Sequence, residues 1–373
     1  MGDGRQVRGP GAGRNDAITG RQSQRRASKA SLSLVVMRLI LAKSRPLTPR
    51  PGRVDTDTRR GSPAGDVTRV AFVGRTSTFR YNPRTVRTRP FMSNHPAADL
   101  PAAYPLIGRE DPPPFVVLHE HGATPALVIC DHASRAFPRA MNRLGLPELP
   151  SWQHIAWDIG AGELARGISN ALDAPAILAG YSRLIVDCNR KPEDTDAFRR
   201  ESDGWTIPGN ASLSEFERRM RLACFFDPYH EAIAAMLAGF RNRGVVPMVI
   251  SVHTFTPEMA GVARPWHVGV LWDKDEDSAR RLIEGLRAVE GVVVGDNEPY
   301  SGKHPCDYTI DHHAEQAGLP HVCIEVRQDQ LESPAGVERW VRLLARLLRE
   351  IIADPELRRL HDTESSWRLA NQR

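Results

Sequence analysis

Of the thirteen histidines in the chain, His132 and His253 stand out for what precedes them. Each comes at the end of an apolar run, Pro125–Cys130 and Val245–Val252, which reads as a buried strand. In open α/β sheets the ligand site lies beyond the carboxyl ends of the strands, so polar residues there carry more weight than polar residues elsewhere. The same rule draws in Asp131, Asn189 with Arg190, Asp273, and Glu325 with Arg327. Two imidazoles 121 residues apart in sequence, but at adjacent strand ends, could share a metal ion with a carboxylate between them. Asp158, in His154-Ile-Ala-Trp-Asp158, is a candidate for that carboxylate. A His/carboxylate/His set with an open fourth position is what a catalytic zinc uses to hold a water of pKa about 7. Ordinary loop or core histidines give the same spacing, so the pattern by itself leaves both readings open.

The elements that must position these residues alternate between two periods. Strands are predicted at 125–130, 176–178, 181–187, 245–252, 268–272, 292–294 and 321–326. Helical spacing marks 163–172, 215–243 with a break near Asp227-Pro228, 277–289 and 337–352. Such alternation predicts an α/β domain, a mixed and largely parallel sheet between helices. The loop-like stretch 191–214 could form a lid. No internal repeat and no Gly-rich phosphate loop of the Walker or dinucleotide type is present.

Composition narrows the class. Apolar residues at 41% and charged residues at 25% are ordinary globular values. The longest apolar stretch, Leu32–Ala42, is too short for a membrane span and is broken by Arg38. Five scattered cysteines without a C-x-x-C pair exclude a disulfide scaffold or four-Cys zinc ribbon and point to a reducing, cytoplasmic setting. The net charge of +5 averages two unlike pieces: residues 1–91 hold 20 bases and 5 acids (+15), and residues 92–373 hold 30 bases and 40 acids (−10). An Arg- and Ser-rich leader, a basic tail for nucleic acid or anionic membrane, and a start-site artefact with Met92 as natural first residue all fit the first piece. The abrupt change at Met92 favours the last. The expectation is a disordered basic extension over 1–91, then one catalytic domain over 92–373, with neither a nucleic-acid nor a membrane partner.

Seven blocks in one order then resemble the N-formylglutamate amidohydrolase family, over about Val116 to Gln330. They are Cys130-Asp-His-Ala-Ser134 with Pro138, Ala156-Trp-Asp-Ile-Gly-Ala161, Tyr181-Ser-Arg-Leu-Ile-Val-Asp-Cys-Asn-Arg190, Ser251-Val-His-Thr-Phe255, His267-Val-Gly-Val-Leu-Trp-Asp273, Asp296-Asn-Glu-Pro-Tyr-Ser-Gly302 and Gly318-Leu-Pro-His-Val-Cys-Ile-Glu-Val-Arg-Gln-Asp329.

The resemblance implies a three-layer α/β/α domain like that of zinc carboxypeptidases, one Zn²⁺, and hydrolysis of an amide beside a free carboxylate. Carboxypeptidases carry two ligands as H-x-x-E; three residues after His132 stands Arg135, so the carboxylate must come from elsewhere. The implied ligands are His132, Asp158 and His253, with His154 as rival to Asp158. Glu325 takes the place of the general base, moving a proton from the metal-activated water to the leaving amine; a salt bridge to Arg327 is its structural alternative. Asn189-Arg190 resembles the Asn-Arg pair that holds a substrate's terminal carboxylate, since a guanidinium matches a carboxylate bidentately. Arg183 would polarise the scissile carbonyl or clamp a second carboxylate, or else simply pair with Asp187. Arg327 and Arg264 are the remaining candidates for a side-chain carboxylate.

Trp157 and Trp272 read as packing residues, Cys130, Cys188 and Cys323 as buried small residues in strands, and His304, His312 and His313 as solvated loop histidines. The implied reaction is N-formyl-L-glutamate plus water to formate and L-glutamate, a late step of histidine breakdown. The Asp-His-Ala-Ser block departs from the Pro-His-Ser-Gly form of the histidine-pathway members, which keeps other small N-acyl amino acids or peptides open as substrates. A non-catalytic protein that binds an acidic metabolite is the rival of another class.

Overall fold

The structure is a computed structural model and describes residues 106–303 and 308–361. The basic segment 1–91 and the boundary at Met92 lie outside the described residues, as do His304 and Cys306.

Seven strands form one sheet: β1 (Phe115–Leu118), β2 (Ala126–Cys130), β3 (Ala176–Ala179), β4 (Met248–Phe255), β5 (Val268–Leu271), β6 (Val294–Asp296) and β7 (His321–Arg327). Their order is β1-β3-β2-β4-β7-β5-β6. The four central strands β3, β2, β4 and β7 run parallel, β1 and β5 pair antiparallel to their inner neighbours, and β6 is parallel to β5. The sheet is mixed and mostly parallel, with helices on both faces, as the sequence pattern predicts.

The layers follow from side-chain alternation along strands buried on both faces. On one face Ala126, Val128, Met248, Ile250, Val252, Val322 and Ile324 pack under α1 (Ala161–Leu172) and two further helices. On the other, Leu127, Ile129, Ile177 and Val249 meet Tyr229, Ile233, Leu237 and Phe240 of a helix before β4. That helix belongs to a long segment that starts as α2 (Glu215–Arg221), passes through a π-helical turn at 222–226, and continues as α3 (Asp227–Asn242). The break predicted at Asp227-Pro228 is therefore a π turn that ends there, because Pro228 has no N–H to donate back. Ser214 and Glu217 close a capping box at its start. The covering helices on the first face are completed by α4 (Glu276–Arg287) and α5 (Pro334–Ala353). Gly167 of α1 lies so close to α5 that a Cβ there would come within 2.3 Å of Val341.

Two sequence expectations change. The strand expected at Tyr181–Asp187 is a buried series of turns. Its carbonyls are taken by side chains rather than a neighbouring strand: Asn210 donates to Leu184 O at 2.9 Å and Arg221 to Ile185 O at 3.0 Å. The Ser182 hydroxyl donates to Ala156 O, and its oxygen also accepts from the Leu184 N–H. A short apolar run reads as a strand by periodicity, but here a third apolar cluster (Leu184, Ile185, Val186, Phe198, Ile207, Phe225) surrounds it outside the sheet. The strand expected at Val292–Val294 begins two residues later, at Val294, in register with Val268. The stretch 191–214 holds a short hairpin pairing Glu201–Ser202 with Trp205–Thr206, and one helical turn at Pro208–Ala211.

Candidate metal centre

Along β4 the face that meets α3 begins apolar at Val249 and then turns polar at Ser251 and His253. On its parallel neighbour β7 the same face carries His321, Cys323 and Glu325, and the register pairs His253 with Glu325. Neighbouring strands are about 4.8 Å apart, so the two side chains stand side by side on one face. β2, on the other flank of β4, ends at Cys130 and hands its chain to Asp131 and His132. Asp158 comes from the turn before α1. Its N–H donates to His132 O at 3.1 Å, and Gly160 at φ 84° turns the chain into the helix where a Cβ would meet Leu331 at 2.9 Å.

These segments bring His132, Asp158 and His253 together in the interior, 2%, 5% and 3% exposed, with one potential ligand atom from each within 4.8 Å of the others. Asp158 Oδ2 lies 3.3 Å from His132 Nδ1 and 2.9 Å from His253 Nδ1. The outer nitrogens have carboxylates of their own: His132 Nε2 to Asp187 Oδ1 at 2.8 Å, and His253 Nε2 to Asp131 Oδ2 at 3.3 Å. Asp131 in turn accepts from the Thr309 hydroxyl at 2.7 Å. With no ion between them, each Nδ1–H can donate to Asp158 Oδ2; a proton on each Nε2, facing its own carboxylate, would free both Nδ1 lone pairs for an ion.

This donor set fits a divalent ion. Bonds of about 2.0–2.1 Å in tetrahedral array put ligand atoms roughly 3.3 Å apart, close to the observed separations, and the carboxylate–histidine pairs behind both imidazoles are the usual support of such a site. Asp158, and not His154, stands between the imidazoles. His154 Nε2 instead faces Asp203 of the short hairpin at 3.6 Å.

The electrostatics agree with a concentrated charge cluster. Burial would raise the Asp158 carboxyl, but the two imidazoles hold it far below the ordinary carboxylate range. Burial opposes ionisation of Asp187 too, and Arg183 and His132 overcome it. Asp131 is held to about 2 against its own burial by the hydrogen bond and charge of His253. For His253, burial favours the neutral ring, while Asp131, Asp158 and the charge of Glu325 raise its pKa well above the ordinary value.

Arg183 pairs with Asp187 through Nε (2.9 Å) and a terminal nitrogen (2.6 Å), and reaches Asp158 Oδ1 at 3.3 Å. Asn189 and Arg190 lie on the turn after Asp187. The Asn189 N–H donates to Asp187 Oδ1 at 2.9 Å, its side-chain oxygen accepts from Thr309 N–H at 3.0 Å, and Arg190 donates to Asn189 O. Arg327 does not meet Glu325; it forks onto Asp329 with contacts of 2.7 and 3.0 Å.

Sequence reasoning placed the ligand candidates but assigned no role to Asp131, and saw Asp187 only as a partner for Arg183. It also missed Tyr300, whose hydroxyl lies 3.1 Å from Arg264 and whose pKa is raised by burial and by the charge of Glu325. Asp131 precedes His132 in sequence yet serves His253, and no spacing rule announces a crossing of that kind.

The expected solvated loop histidines are otherwise in part. His313 is buried on a π-helical turn at 311–315, stacked on His230 with their rings hydrogen-bonded at 3.0 Å. Trp157 packs against the third apolar cluster, and Trp272 packs on the first face while donating to Asp296 at 2.7 Å. Cys130, Cys188, Cys224 and Cys323 are buried thiols outside any disulfide, with Cys188 on a turn rather than a strand. Among the described residues no helix is long and apolar enough to cross a membrane.

Fold and site define an α/β protein that presents a buried His/Asp/His cluster at the carboxyl edge of its parallel strands. The sequence profile of N-formylglutamate amidohydrolase matches residues 124–331. The chain belongs to the N-formylglutamate amidohydrolase family. Among solved structures it is similar to gene product Atu2144 of Agrobacterium tumefaciens, with 29% identity, a TM-score of 0.65, and coverage of 67% of this chain and 99% of that one. It also shares its fold with an N-formylglutamate amidohydrolase from Ralstonia eutropha JMP134, with 18% identity, a TM-score of 0.51, and coverage of 64% and 97%. None of the curated proteins matches the chain.

Proposed function

We propose that the protein is a metal-dependent amidohydrolase that removes a small N-acyl group, formyl first, from an acidic amino acid. The reaction is N-formyl-L-glutamate plus water to formate and L-glutamate. The observation that carries this reading is the buried convergence of His132, Asp158 and His253, each imidazole backed by its own carboxylate. Family membership supplies the reaction class.

A Zn²⁺ ion held by those three residues would supply Lewis acidity and bring the pKa of a water to about 7. The chain's own groups do the rest. Glu325, beside His253 on the adjacent strand, takes the proton of the attacking water on a carboxylate oxygen and passes it to the amine nitrogen as the C–N bond breaks. Arg183 pairs with Asp187 and Asp158, and its partly exposed guanidinium is the cation offered to the developing oxyanion. Asn189 and Arg190 hold the substrate's α-carboxylate. Arg327, already engaged by Asp329, supports the strand end and reaches substrate only by exchanging that partner. Activity resides in residues 92–373, so a chain starting at Met92 keeps it.

The test is formate release from N-formyl-L-glutamate by the zinc-loaded protein, before and after chelation, with Glu325→Gln alongside. Release that a chelator stops and the variant lowers by at least about 100-fold supports the reading. Zinc-loaded protein that releases no formate sinks the formylglutamate assignment, and release of another acyl group from a panel of N-acyl amino acids would replace it.

A further inference from the structure

We propose that Arg264, with the Tyr300 hydroxyl beside it, seats the second carboxylate of a dicarboxylic N-acyl amino acid and so sets the preference for acidic substrates. This rests on the hydrolase reading above and names the substrate class of the same site.

Arg264 is buried, 9% exposed, and among the described residues no carboxylate lies within ion-pair distance of it. Its donors meet the Tyr300 hydroxyl at 3.1 Å, the Thr256 hydroxyl at 3.4 Å, the Thr256 carbonyl at 3.5 Å, and the thioether of Met259. All are neutral acceptors, the two on Thr256 lie at the edge of hydrogen-bond range, and a thioether is a weak one. The contrast with the other interior arginines is sharp. Arg183 has two aspartates and Arg327 has one. Arg221, also buried without a carboxylate, fills its donors with three amide oxygens at 2.6 to 3.0 Å and serves the scaffold. A buried guanidinium without charge compensation is costly unless an anion arrives to pair with it.

Its position suits a substrate. The guanidinium carbon lies 5.8 Å from the ring centre of Phe255 and 5.0 Å from that of Tyr300. Phe255 is two residues beyond His253 on the same face of β4, about 7 Å along the strand. The Tyr300 hydroxyl, 3.1 Å from Arg264, also lies within reach of the charges of Glu325 and Asp158. Asn189 and Arg190 stand on the flank of His132, behind Asp187, whereas Arg264 stands on the flank of His253. A substrate whose nitrogen-bearing carbon carries one carboxylate directly and a second on its side chain can therefore engage a cation with each.

The Arg264 backbone also helps to hold the strand end, because its carbonyl accepts from Arg327 at 2.8 Å and its N–H donates to Pro257 O. Any residue keeps those two bonds, so side-chain variants separate recognition from scaffold. Full-length zinc-loaded wild type, Arg264→Gln and Arg264→Lys would be compared on N-formyl-L-glutamate and on N-formyl-L-glutamine, its neutral isostere, with thermal midpoints as a folding control. Arg264→Gln is expected to lower kcat/KM for the glutamate substrate by about 10- to 100-fold, mostly through KM, and to change the glutamine substrate by less than about threefold. Arg264→Lys should recover part of the loss, since an ammonium restores charge without the fork. Equal losses on both substrates would overturn the proposal. Calorimetry with glutarate keeps this separate from catalysis: binding by wild type that Arg264→Gln weakens at least about tenfold upholds the anion seat even if neither formyl substrate turns over. Absent or unaltered glutarate binding overturns it.

Discussion

Replacing Asp187 by Asn tests whether the carboxylates behind the two histidines build the site or merely fill the interior. Asp187 is 1% exposed and accepts four hydrogen bonds: His132 Nε2 and the Asn189 N–H on Oδ1, and two guanidinium nitrogens of Arg183 on Oδ2. An asparagine has the same shape but only one acceptor end. Either way it is turned, its amide hydrogens face two donors and two hydrogen bonds are lost. The one ion pair left to Arg183 is its 3.3 Å contact with Asp158, and breaking one partner of a buried ion pair costs about 3–5 kcal/mol. In either orientation the change removes the carboxylate charge behind His132, and loss of such a partner weakens metal affinity by about 10- to 100-fold. Two measurements separate these effects: urea unfolding of the metal-free variant, and zinc affinity by competition with a chromogenic chelator. Asp131→Asn should weaken zinc similarly but destabilise less, because Asp131 pairs with His253 and Thr309 and not with an arginine. If Asp187→Asn loses stability yet binds zinc as wild type does, Asp187 serves Arg183 alone and the carboxylate-backed metal site is wrong.

Burial lowers the pKa of His230 to about 4, and burial with the neighbouring charge of His230 lowers that of His313 to about 3. For a base whose folded pKa is depressed, the unfolded chain binds the extra proton, so stability is full above about pH 6.5 and falls by up to about 1.4 kcal/mol per pH unit per histidine below it. Urea midpoints at pH 7.5 and 5.0 should therefore diverge more in wild type than in the double variant His230→Gln with His313→Gln; equal divergence would refute it. Leu344→Ala, in the fully buried interface of α5 with the sheet, should cost about 2–5 kcal/mol by chemical denaturation. Chelation of the zinc-loaded protein should abolish glutarate binding in calorimetry, with recovery on adding zinc back.

Most of the scaffold is legible in the sequence because its strands are buried on both faces. Runs such as Ala126–Cys130 have no polar position to mislead, and Pro125 and Asp131 bound this one. The same simplicity produced the error at Tyr181–Asp187. Its middle, Leu184–Val186, is equally apolar, but its burial comes from a cluster assembled from Phe198, Ile207 and Phe225, and its carbonyls are met by Asn210 and Arg221 from later in the chain. Periodicity reports that a segment is buried, not what covers it. The ligand candidates were visible for a topological reason: an apolar run that stops at a His or Glu marks the carboxyl end of a parallel strand. Arg327 shows the limit, since its partner Asp329 follows in the turn after β7 and only the backbone path decides between it and Glu325.

The charges that surround the site explain why these particular side chains occur together. Asp131, Asp158 and Asp187 are all buried, at 1%, 5% and 1% exposure. With both imidazoles neutral, as ligation requires, Arg183 compensates only one of these three charges. A deficit of that size is expensive in a low-dielectric interior. A divalent ion between the imidazoles cancels the remaining two and leaves the Arg264 charge for the substrate, so the neutral cluster that results can accept an anionic substrate where the metal-free one would repel it. Dicarboxylate binding should accordingly depend on the metal even if no carboxylate oxygen of the ligand touches it.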